Sequence, residues 1–191
     1  MEKFIRFATI NDAEDILKIY ASYFDTSITF EYEVPSLESF KQRMSTIMSE
    51  YPYLVYVVEN QIVGYAYANK HKERAAYHWN AELSVYVDRK HFGVHIGKNL
   101  CLSLLEILKY QNIQNVYAVI TSPNERSENL HKSLGFEFLF IYKKTGYKLG
   151  KWHDVAWYEK SLNKHEDLPA EFINFNNLDK ALIKSIIFEN S

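Results

Sequence analysis

Apolar residues recur along this chain with two different periods, and the changes between them divide it into strands and helices. Alternation predicts strands at Phe4–Ala8, Leu54–Glu59, Ile62–Ala68, Tyr77–Val87, Val116–Thr121, Phe136–Lys143 and His153–Leu162. Helical spacing predicts helices that begin after Asn11 or Asp12, run from Ser36 to about Ser49, and cover Val94–Tyr110 and Asn124–Leu134. Between the first two helices, Asp25–Val34 is predicted to be a loop or an extended segment. This order of hairpins and strand–helix units predicts an α/β or α+β sheet with helices on its faces.

The amino-acid composition of the chain changes after Asn163. Residues 164–177 carry Pro169 and many polar side chains, and they are predicted to form a linker. Leu178–Phe188 repeats apolar residues along one stripe, which predicts an amphipathic helix. We expect residues 1–163 to form one domain. The tail of residues 164–191 is expected to pack on that domain or on a partner subunit rather than on a membrane.

Length and charge limit the class of protein. A chain of 191 residues is long enough for one well-buried domain. A formal net charge of -2 argues against a protein that binds nucleic acid through bulk electrostatics. No apolar run approaches the ~18 residues that span a bilayer, and no secretory signal is apparent at the N-terminus. A soluble, cytoplasmic protein is therefore expected.

Residue types that hold metals or form disulfides are few and scattered. The single cysteine, Cys101, lies in an apolar helical run and predicts a buried thiol in a reducing compartment. The seven histidines and the single cysteine form no Cys/His cluster in the sequence, so no metal site is expected. Aromatic residues are abundant, with 15 Tyr and 12 Phe. They predict a tyrosine-rich core, with a pocket or a subunit interface lined by rings as the alternative.

Residues 81–100 are the main candidate for chemistry. The strand that ends near Val87 is followed by a charged turn, two glycines and a long apolar helix. Such a junction directs backbone N–H groups and the positive end of a helix dipole at one point, which suits a pyrophosphate. Upstream on the same strand, Glu82 lies on the face opposite Leu83 and Val85. A carboxylate beside an anion-binding loop indicates chemistry on a phosphate-bearing cofactor.

Five segments between Ile5 and Leu162 carry a resemblance to a known family. They are IRFATINDAEDILKIY, YPYLVYVVENQIVGYAYA, KERAAYHWNAELSVYV, SPNERSENLHKSLGFE and TGYKLGKWHDVAWYEKSL. In combination they resemble the GNAT-type N-acetyltransferases, and within these the phosphinothricin N-acetyltransferase group. The resemblance implies a mixed, mostly antiparallel central sheet flanked by helices. It also implies acetyl-CoA as cosubstrate and a homodimer with a site near its interface.

The resemblance implies where acetyl-CoA binds. The family's pyrophosphate motif Q/R-x-x-G-x-G/A falls on Phe92–Gly97, where Phe92 and His95 depart from the pattern. The implied cofactor-binding residues are Val85, Tyr86 and Val87 for the pantetheine arm, Phe92, Gly93, Val94, His95, Ile96, Gly97 and Lys98 for the pyrophosphate, and Asn124 and Ser133 for further contacts. Because a glycine allows close backbone approach to phosphate, the two departures predict an altered cofactor affinity.

Two residues are catalytic candidates through the same resemblance. Glu82 matches the family's general base, which takes the proton of the substrate ammonium through water, whereas a solvated strand glutamate is the alternative. His131 stands where these enzymes commonly carry a tyrosine that protonates the departing thiolate, and an imidazole suits that task. The alternative for His131 is a polar helix histidine that points at solvent.

The resemblance also implies a pocket for an amino-acid-like substrate. A guanidinium fork pairs well with a carboxylate, which makes Arg74 the candidate clamp, with a plain surface arginine as the alternative. The implied substrate-binding residues are Phe30, Arg74, Tyr77, Glu82, Leu83, Ser84 and Tyr147. We therefore expect an N-acetyltransferase for an α-amine of the phosphinothricin or methionine sulfoximine type. A catalytically silent acyl-CoA sensor, and an enzyme for a polyamine or a protein N-terminus, are the competing hypotheses.

Overall fold

One sheet of seven strands forms the centre of the computed structural model, which describes the backbone of residues 2–189 and the side chains of residues 2–187. In spatial order the strands are β1 (Lys3–Phe7), β2 (Tyr53–Val58), β3 (Gln61–Lys70), β4 (Asn80–Val87), β5 (Asn115–Ser122), β7 (Lys151–Ser161) and β6 (Glu137–Lys148). The helices are α1 (Ala13–Ala21), α2 (Leu37–Met48), α3 (Ile96–Tyr110), α4 (Glu125–Ser133) and α5 (Lys180–Glu189). Neighbouring strands are antiparallel, apart from the parallel pair β4–β5. The expected mixed, mostly antiparallel sheet flanked by helices is confirmed.

The parallel pair in the middle of the sheet is short. β4 and β5 are paired only from Asn80 with Asn115 to Glu82 with Tyr117. Beyond this point β4 remains paired with β3 as far as Val87, and β5 remains paired with β7 as far as Ser122. Each strand is then paired only with its outer neighbour, and a cleft lies between the two strands.

The two faces of the sheet are covered by different helices. On one face, Tyr20 of α1 packs edge-on against Tyr86, which stacks on Tyr65 with ring centroids 5.2 Å apart. On the other face, α3 lies so close that a Cβ added to Gly64 would be 2.9 Å from the side chain of Ile96. Burial raises the pKa of Tyr65 and Tyr86 well above the ordinary phenol value, so both stay neutral. The predicted tyrosine-rich core is confirmed.

The two hairpins differ in how well the sequence predicted them. The turn Glu59–Asn60 joins β2 and β3 between the two strands predicted there, with left-handed φ values of 48° and 64°. Leu149 and Gly150, with φ values of 53° and 74°, form an equally short turn between β6 and β7. The predicted strand ends at Lys143 and His153 were therefore wrong. Polar residues and glycines fill this stretch, so the alternation of apolar side chains that marks a strand is missing there.

Two further boundaries differ from the prediction near the candidate site. The strand predicted from Tyr77 begins at Asn80, because Ala75–Tyr77 form a short 3₁₀ turn. The helix predicted from Val94 begins at Ile96, because the backbone of His95 has a left-handed φ of 62° that a helix does not accept.

The C-terminal tail packs on the rest of the chain. The buried Gln111 side chain donates from Nε2 to the carbonyl oxygens of Glu50 and Ile173, both at 2.9 Å, and so fixes the segment predicted to be a linker. α5 packs against α3 and β1 and buries Ile183. Of the two expected locations, its own domain or a partner subunit, the described part of this helix packs on its own domain, while the Phe188 side chain and residues 190 and 191 lie outside the described part. Within residues 2–189, no helix is long and apolar enough to cross a bilayer.

Candidate active site

A groove of about 760 Å³ lies between the end of β4, the N-terminus of α3 and the helix α4. It brings together the predicted cofactor residues Val85, Tyr86, Val87, Phe92, Gly93, His95, Ile96, Gly97, Lys98, Asn124 and Ser133. Val94 is the exception, because it does not line the groove and is 53% exposed. Tyr23, which the sequence did not single out, also lines the groove and donates a hydrogen bond from its hydroxyl to the carbonyl oxygen of Val87.

The N-terminus of α3 is open to an anion. Gly93 and His95 both have left-handed backbones, with φ values of 86° and 62°, and this turns the chain sharply into the helix. No side chain caps the first turn of α3, and no acidic residue lies in it. The first N–H groups of a helix have no partner within the helix, and here they meet the positive end of the helix dipole. The groove therefore suits a diphosphate at this end.

The two departures from the family motif have structural explanations. His95 adopts the left-handed conformation that a glycine would adopt without strain, so the path of the loop is kept. Phe92 provides no charge, but the guanidinium carbon of Arg126 lies 3.6 Å from the centre of its ring. Both residues line the groove. A cation from α4 thus stands beside the position where the motif has a polar side chain. Sequence reasoning missed Arg126, although it lies only two residues after the predicted Asn124.

Glu82 occupies the last paired position of β4 before the cleft. It lies opposite Asn69 of β3 and Tyr117 of β5, and its side chain is 35% exposed. Its Oε1 is 2.9 Å from Nδ1 of His71, a residue that sequence reasoning missed. The antiparallel register of β3 and β4 could have found His71, since Asn69 pairs with Glu82 and His71 follows two residues later on the same face.

His131 is buried, with 3% exposure, so the alternative that it points at solvent is wrong. Its Nδ1 lies 2.8 Å from the carbonyl oxygen of Ser127, which can only accept a hydrogen bond, so Nδ1 carries the hydrogen. Nε2 is then a bare acceptor, and it has no partner among the described residues. Burial lowers the pKa of His131, and the bond to Ser127 opposes this only in part. The resting imidazole is thus neutral at pH 7 and accepts, rather than donates, at Nε2.

A smaller cavity links His131 to the cleft. It measures about 70 Å³ and is lined by residues of both separated strands, of α4 and of its N-cap, among them Ser84, Thr121, Asn124 and His131. Leu83 also lines it, but the Leu83 side chain is buried in the core, on the face opposite Glu82. Leu83 and Ser84 are therefore the two predicted substrate residues that line this cavity together with His131.

The remaining predicted substrate residues lie in two other places. Arg74 and Tyr77 are exposed in the loop that joins β3 to β4, and the Lys72 ammonium lies 4.8 Å from the centre of the Tyr77 ring. Phe30 and Tyr147 lie beside the tip of the β6–β7 hairpin, where the Phe30 ring fills the space in which a Gly146 side chain would stand. None of these four residues lines either cavity. In residues 2–187 no group of three or more His, Cys, Asp or Glu side chains is arranged to hold a metal ion.

Comparison with known proteins identifies the family. Residues 5–157 match the family model described as Acetyltransferase (GNAT) domain. A phosphinothricin N-acetyltransferase of Streptomyces viridochromogenes is 35% identical over 167 residues, which cover 87% of this chain and 89% of that protein. The L-methionine sulfoximine/L-methionine sulfone acetyltransferase of Pseudomonas aeruginosa is 27% identical over 172 residues, 88% of this chain and 100% of that protein. The chain therefore belongs to the GNAT acetyltransferase family.

A solved structure agrees with this assignment. The GNAT superfamily phosphinothricin acetyltransferase of Sinorhizobium meliloti, solved in complex with AcCoA, matches with a TM-score of 0.84 and 31% sequence identity. The match covers 92% of this chain and 99% of that one. Both the predicted resemblance and the prediction of an N-acetyltransferase are confirmed.

We expect His131 to make stability depend on pH. Because burial lowers its pKa in the folded protein, the unfolded chain takes up a proton first as the pH falls below about 6.5. The free energy of unfolding should therefore decrease as the pH falls below about 6.5. In the His131→Asn variant, which keeps a donor for the Ser127 carbonyl, this decrease should be smaller. Urea unfolding at several pH values measures both slopes.

The control for this experiment is His165→Asn, which removes an exposed imidazole. Its slope should equal that of the wild type. Equal slopes for His131→Asn and the wild type would contradict a buried, neutral His131.

Proposed function

We propose that this protein transfers the acetyl group of acetyl-CoA to the α-amine of a small amino-acid-like substrate of the phosphinothricin or methionine sulfoximine type. Relatives named for these substrates match 87% and 88% of the chain. The observation that carries the proposal is the cleft between β4 and β5, which begins just after Glu82 and shares Val85, Tyr86 and Asn124 with the groove at the N-terminus of α3. Such an enzyme detoxifies an amino-acid analogue, and its cytoplasmic location stays a prediction.

The groove has the donors and acceptors that acetyl-CoA requires. Beyond Glu82, the edge of β4 that faces β5 has lost its partner strand, so its backbone N–H and C=O groups need other partners. The amides of a pantetheine arm can supply these along Val85–Val87, much as an added strand does. The diphosphate then belongs at the N-terminus of α3, with Lys98 and Arg126 near it.

The proposed reaction begins with deprotonation of the substrate amine. A substrate ammonium has no free electron pair, so the Glu82 carboxylate takes one of its protons, directly or through water. The amine nitrogen then attacks the thioester carbon, a C–N bond forms and the C–S bond breaks. The nitrogen loses a second proton as the amide forms, and the departing thiolate gains one. We assign this second transfer to His131, whose bare Nε2 first accepts the proton and then, as an imidazolium, donates it to sulfur.

The substrate's carboxylate is assigned to Arg74. Among the ion pairs of the described residues, none involves this guanidinium, and its loop connects the strand ends that carry His71 and Glu82. A guanidinium at this place attracts an anionic substrate and disfavours a polyamine, which needs an acidic pocket. The hypothesis of a silent acyl-CoA sensor was based on Phe92 and His95. It is weakened because the loop keeps its left-handed turn and Arg126 supplies a charge.

Arg126 should contribute to cofactor affinity. Replacing it by Ala removes a cation beside the proposed diphosphate site, so we expect the Kd for CoA to rise about 10-fold. The matched control is Lys132→Ala, which removes a cation from the same helix at a position that does not line the groove. Isothermal titration calorimetry with CoA measures both.

Pantetheine lacks the phosphates, so its binding distinguishes the loss of a phosphate contact from a change in the shape of the groove. The wild type and Arg126→Ala should bind it equally. An unchanged Kd for CoA in the Arg126 variant, or an equal loss with pantetheine, would contradict a phosphate contact.

Turnover of acetyl-CoA with a panel of amino-acid analogues tests the reaction itself. We expect thiol release with phosphinothricin or methionine sulfoximine, and a kcat that is lower by about 100-fold or more in Glu82→Gln. The control Glu73→Gln alters a carboxylate that is 93% exposed in the neighbouring loop, and it should leave kcat unchanged. Arg74→Ala should raise KM for the carboxylate-bearing amine without changing KM for acetyl-CoA.

Two results of this turnover assay would contradict the proposals. If no amine in the panel releases thiol while CoA still binds, the proposed enzyme activity is wrong. An unchanged KM in Arg74→Ala rejects the clamp alone.

We also propose a homodimer, based on an exposed apolar surface. Val119, Phe140 and Tyr142 are 41%, 41% and 51% exposed, and they gather around Trp157 on one face of β5, β7 and β6. Glu82 is on this face too, because it pairs with Tyr117 two residues before Val119. Clustered exposed rings beside polar strands are typical of a protein interface.

Sedimentation equilibrium tests this interface. The wild type should be a dimer at micromolar concentration, and Phe140→Asp should raise the dimer Kd about 100-fold by burying a charge. Leu168→Asp, at a residue 91% exposed outside this surface, is the control and should leave the dimer intact. A monomeric wild type would overturn the proposal.

A further inference from the structure

His71 forms the most direct side-chain contact that the structure shows for the candidate base. Its Nδ1 lies 2.9 Å from Oε1 of Glu82, and the His71 side chain is only 10% exposed. The contact runs across two strands, since Lys70 pairs with Ala81 at the end of β3 and His71 follows directly. We propose that His71 is a positioning residue for the base, a role that rests on the proposed acetyl transfer.

The direction of this hydrogen bond follows from the chemistry of the two groups. An ionised carboxylate has no hydrogen to give, so Nδ1 of His71 must donate and Oε1 must accept. The bond occupies Oε1 and restrains rotation of the carboxylate. Oε2 is left to face the substrate ammonium or the water that carries its proton. A base fixed in this way is already oriented for the transfer when the amine arrives.

The imidazole ring is itself fixed by aromatic contacts. It stacks on Tyr117 with ring centroids 4.5 Å apart, and the edge of Trp157 lies against it at 5.8 Å. Tyr117 is next to Glu82 in the parallel pair, so the sheet that positions Glu82 also positions the ring beneath His71. A rotation of His71 away from Glu82 would break both aromatic contacts. The result is a chain of contacts that runs from Trp157 and Tyr117 through His71 to the carboxylate.

The Tyr117 phenol does not compete for the carboxylate. Burial and the neighbouring Glu159 raise the pKa of Tyr117 to about 12, so the phenol is neutral and its hydroxyl is directed to Glu159. Glu159 lies opposite Tyr117 on β7, on the side away from Glu82. Each of the two carboxylates thus has its own partner on this face of the sheet.

Two substitutions at His71 distinguish the effect of its hydrogen bond to Glu82 from the effect of its aromatic ring. His71→Phe keeps a ring on Tyr117 and removes the donor, and we expect kcat to fall about 10- to 100-fold. His71→Asn keeps a donor at the place of Nδ1 and should retain most of kcat. KM for acetyl-CoA should stay at the wild-type value in both variants. Thermal unfolding of each variant confirms that it is folded before its kinetics are compared.

The double variant His71→Phe/Glu82→Gln tests whether His71 acts through Glu82. If it does, the double variant should be no slower than Glu82→Gln alone, because the positioned group is already lost. Additive losses in the double variant would overturn the proposal. A wild-type kcat in folded His71→Phe, with Glu82→Gln impaired, would overturn it as well while leaving the proposed function standing. An unimpaired Glu82→Gln would reject the proposed base and the role of His71 together.

Discussion

The parallel pairing of β4 and β5 stops after Glu82 and Tyr117, and the site depends on that interruption. A sheet normally satisfies the backbone groups of its inner strands on both sides, but here each strand keeps only its outer neighbour. The cleft that results exposes the inner edge of β4 along Val85–Val87. It leads from a carboxylate at its closed end to a helix N-terminus at its mouth. The candidate base and the proposed anion site are thus placed along one line.

The two faces of the sheet carry different kinds of side chain. The face towards α3 is a packed apolar core, where even Gly64 has no room for a side chain. The face that carries Glu82 is aromatic. Its buried phenols, such as Tyr65 and Tyr86, stay neutral because burial opposes their ionisation. Aromatic rings therefore support the polar groups without adding charge. The same face ends in the exposed rings around Trp157, which brings the proposed subunit interface close to the candidate base.

Much of the fold could be predicted because it depends on local periodicity. The alternation in β2 and β3 and the apolar stripe of α3 are encoded within a few residues of themselves. The β6–β7 turn was missed because Leu149 and Gly150 lie in a stretch without alternation. In the candidate site, most of the predicted cofactor residues line one groove because the strand–loop–helix junction that carries them is continuous in sequence. His71 and Arg126 were missed, because they contact Glu82 and Phe92 across the register of two strands and between two segments far apart in the chain.

A crystal structure with acetyl-CoA bound tests the central claim most directly. If the interrupted pairing creates the site, the pantetheine arm will lie in the cleft against Val85–Val87. The diphosphate will lie at the N-terminus of α3, and the thioester will lie within reach of a substrate amine held beside Glu82. A structure in which β4 and β5 stay paired beyond Glu82, or in which the cosubstrate lies outside the cleft, would contradict the account.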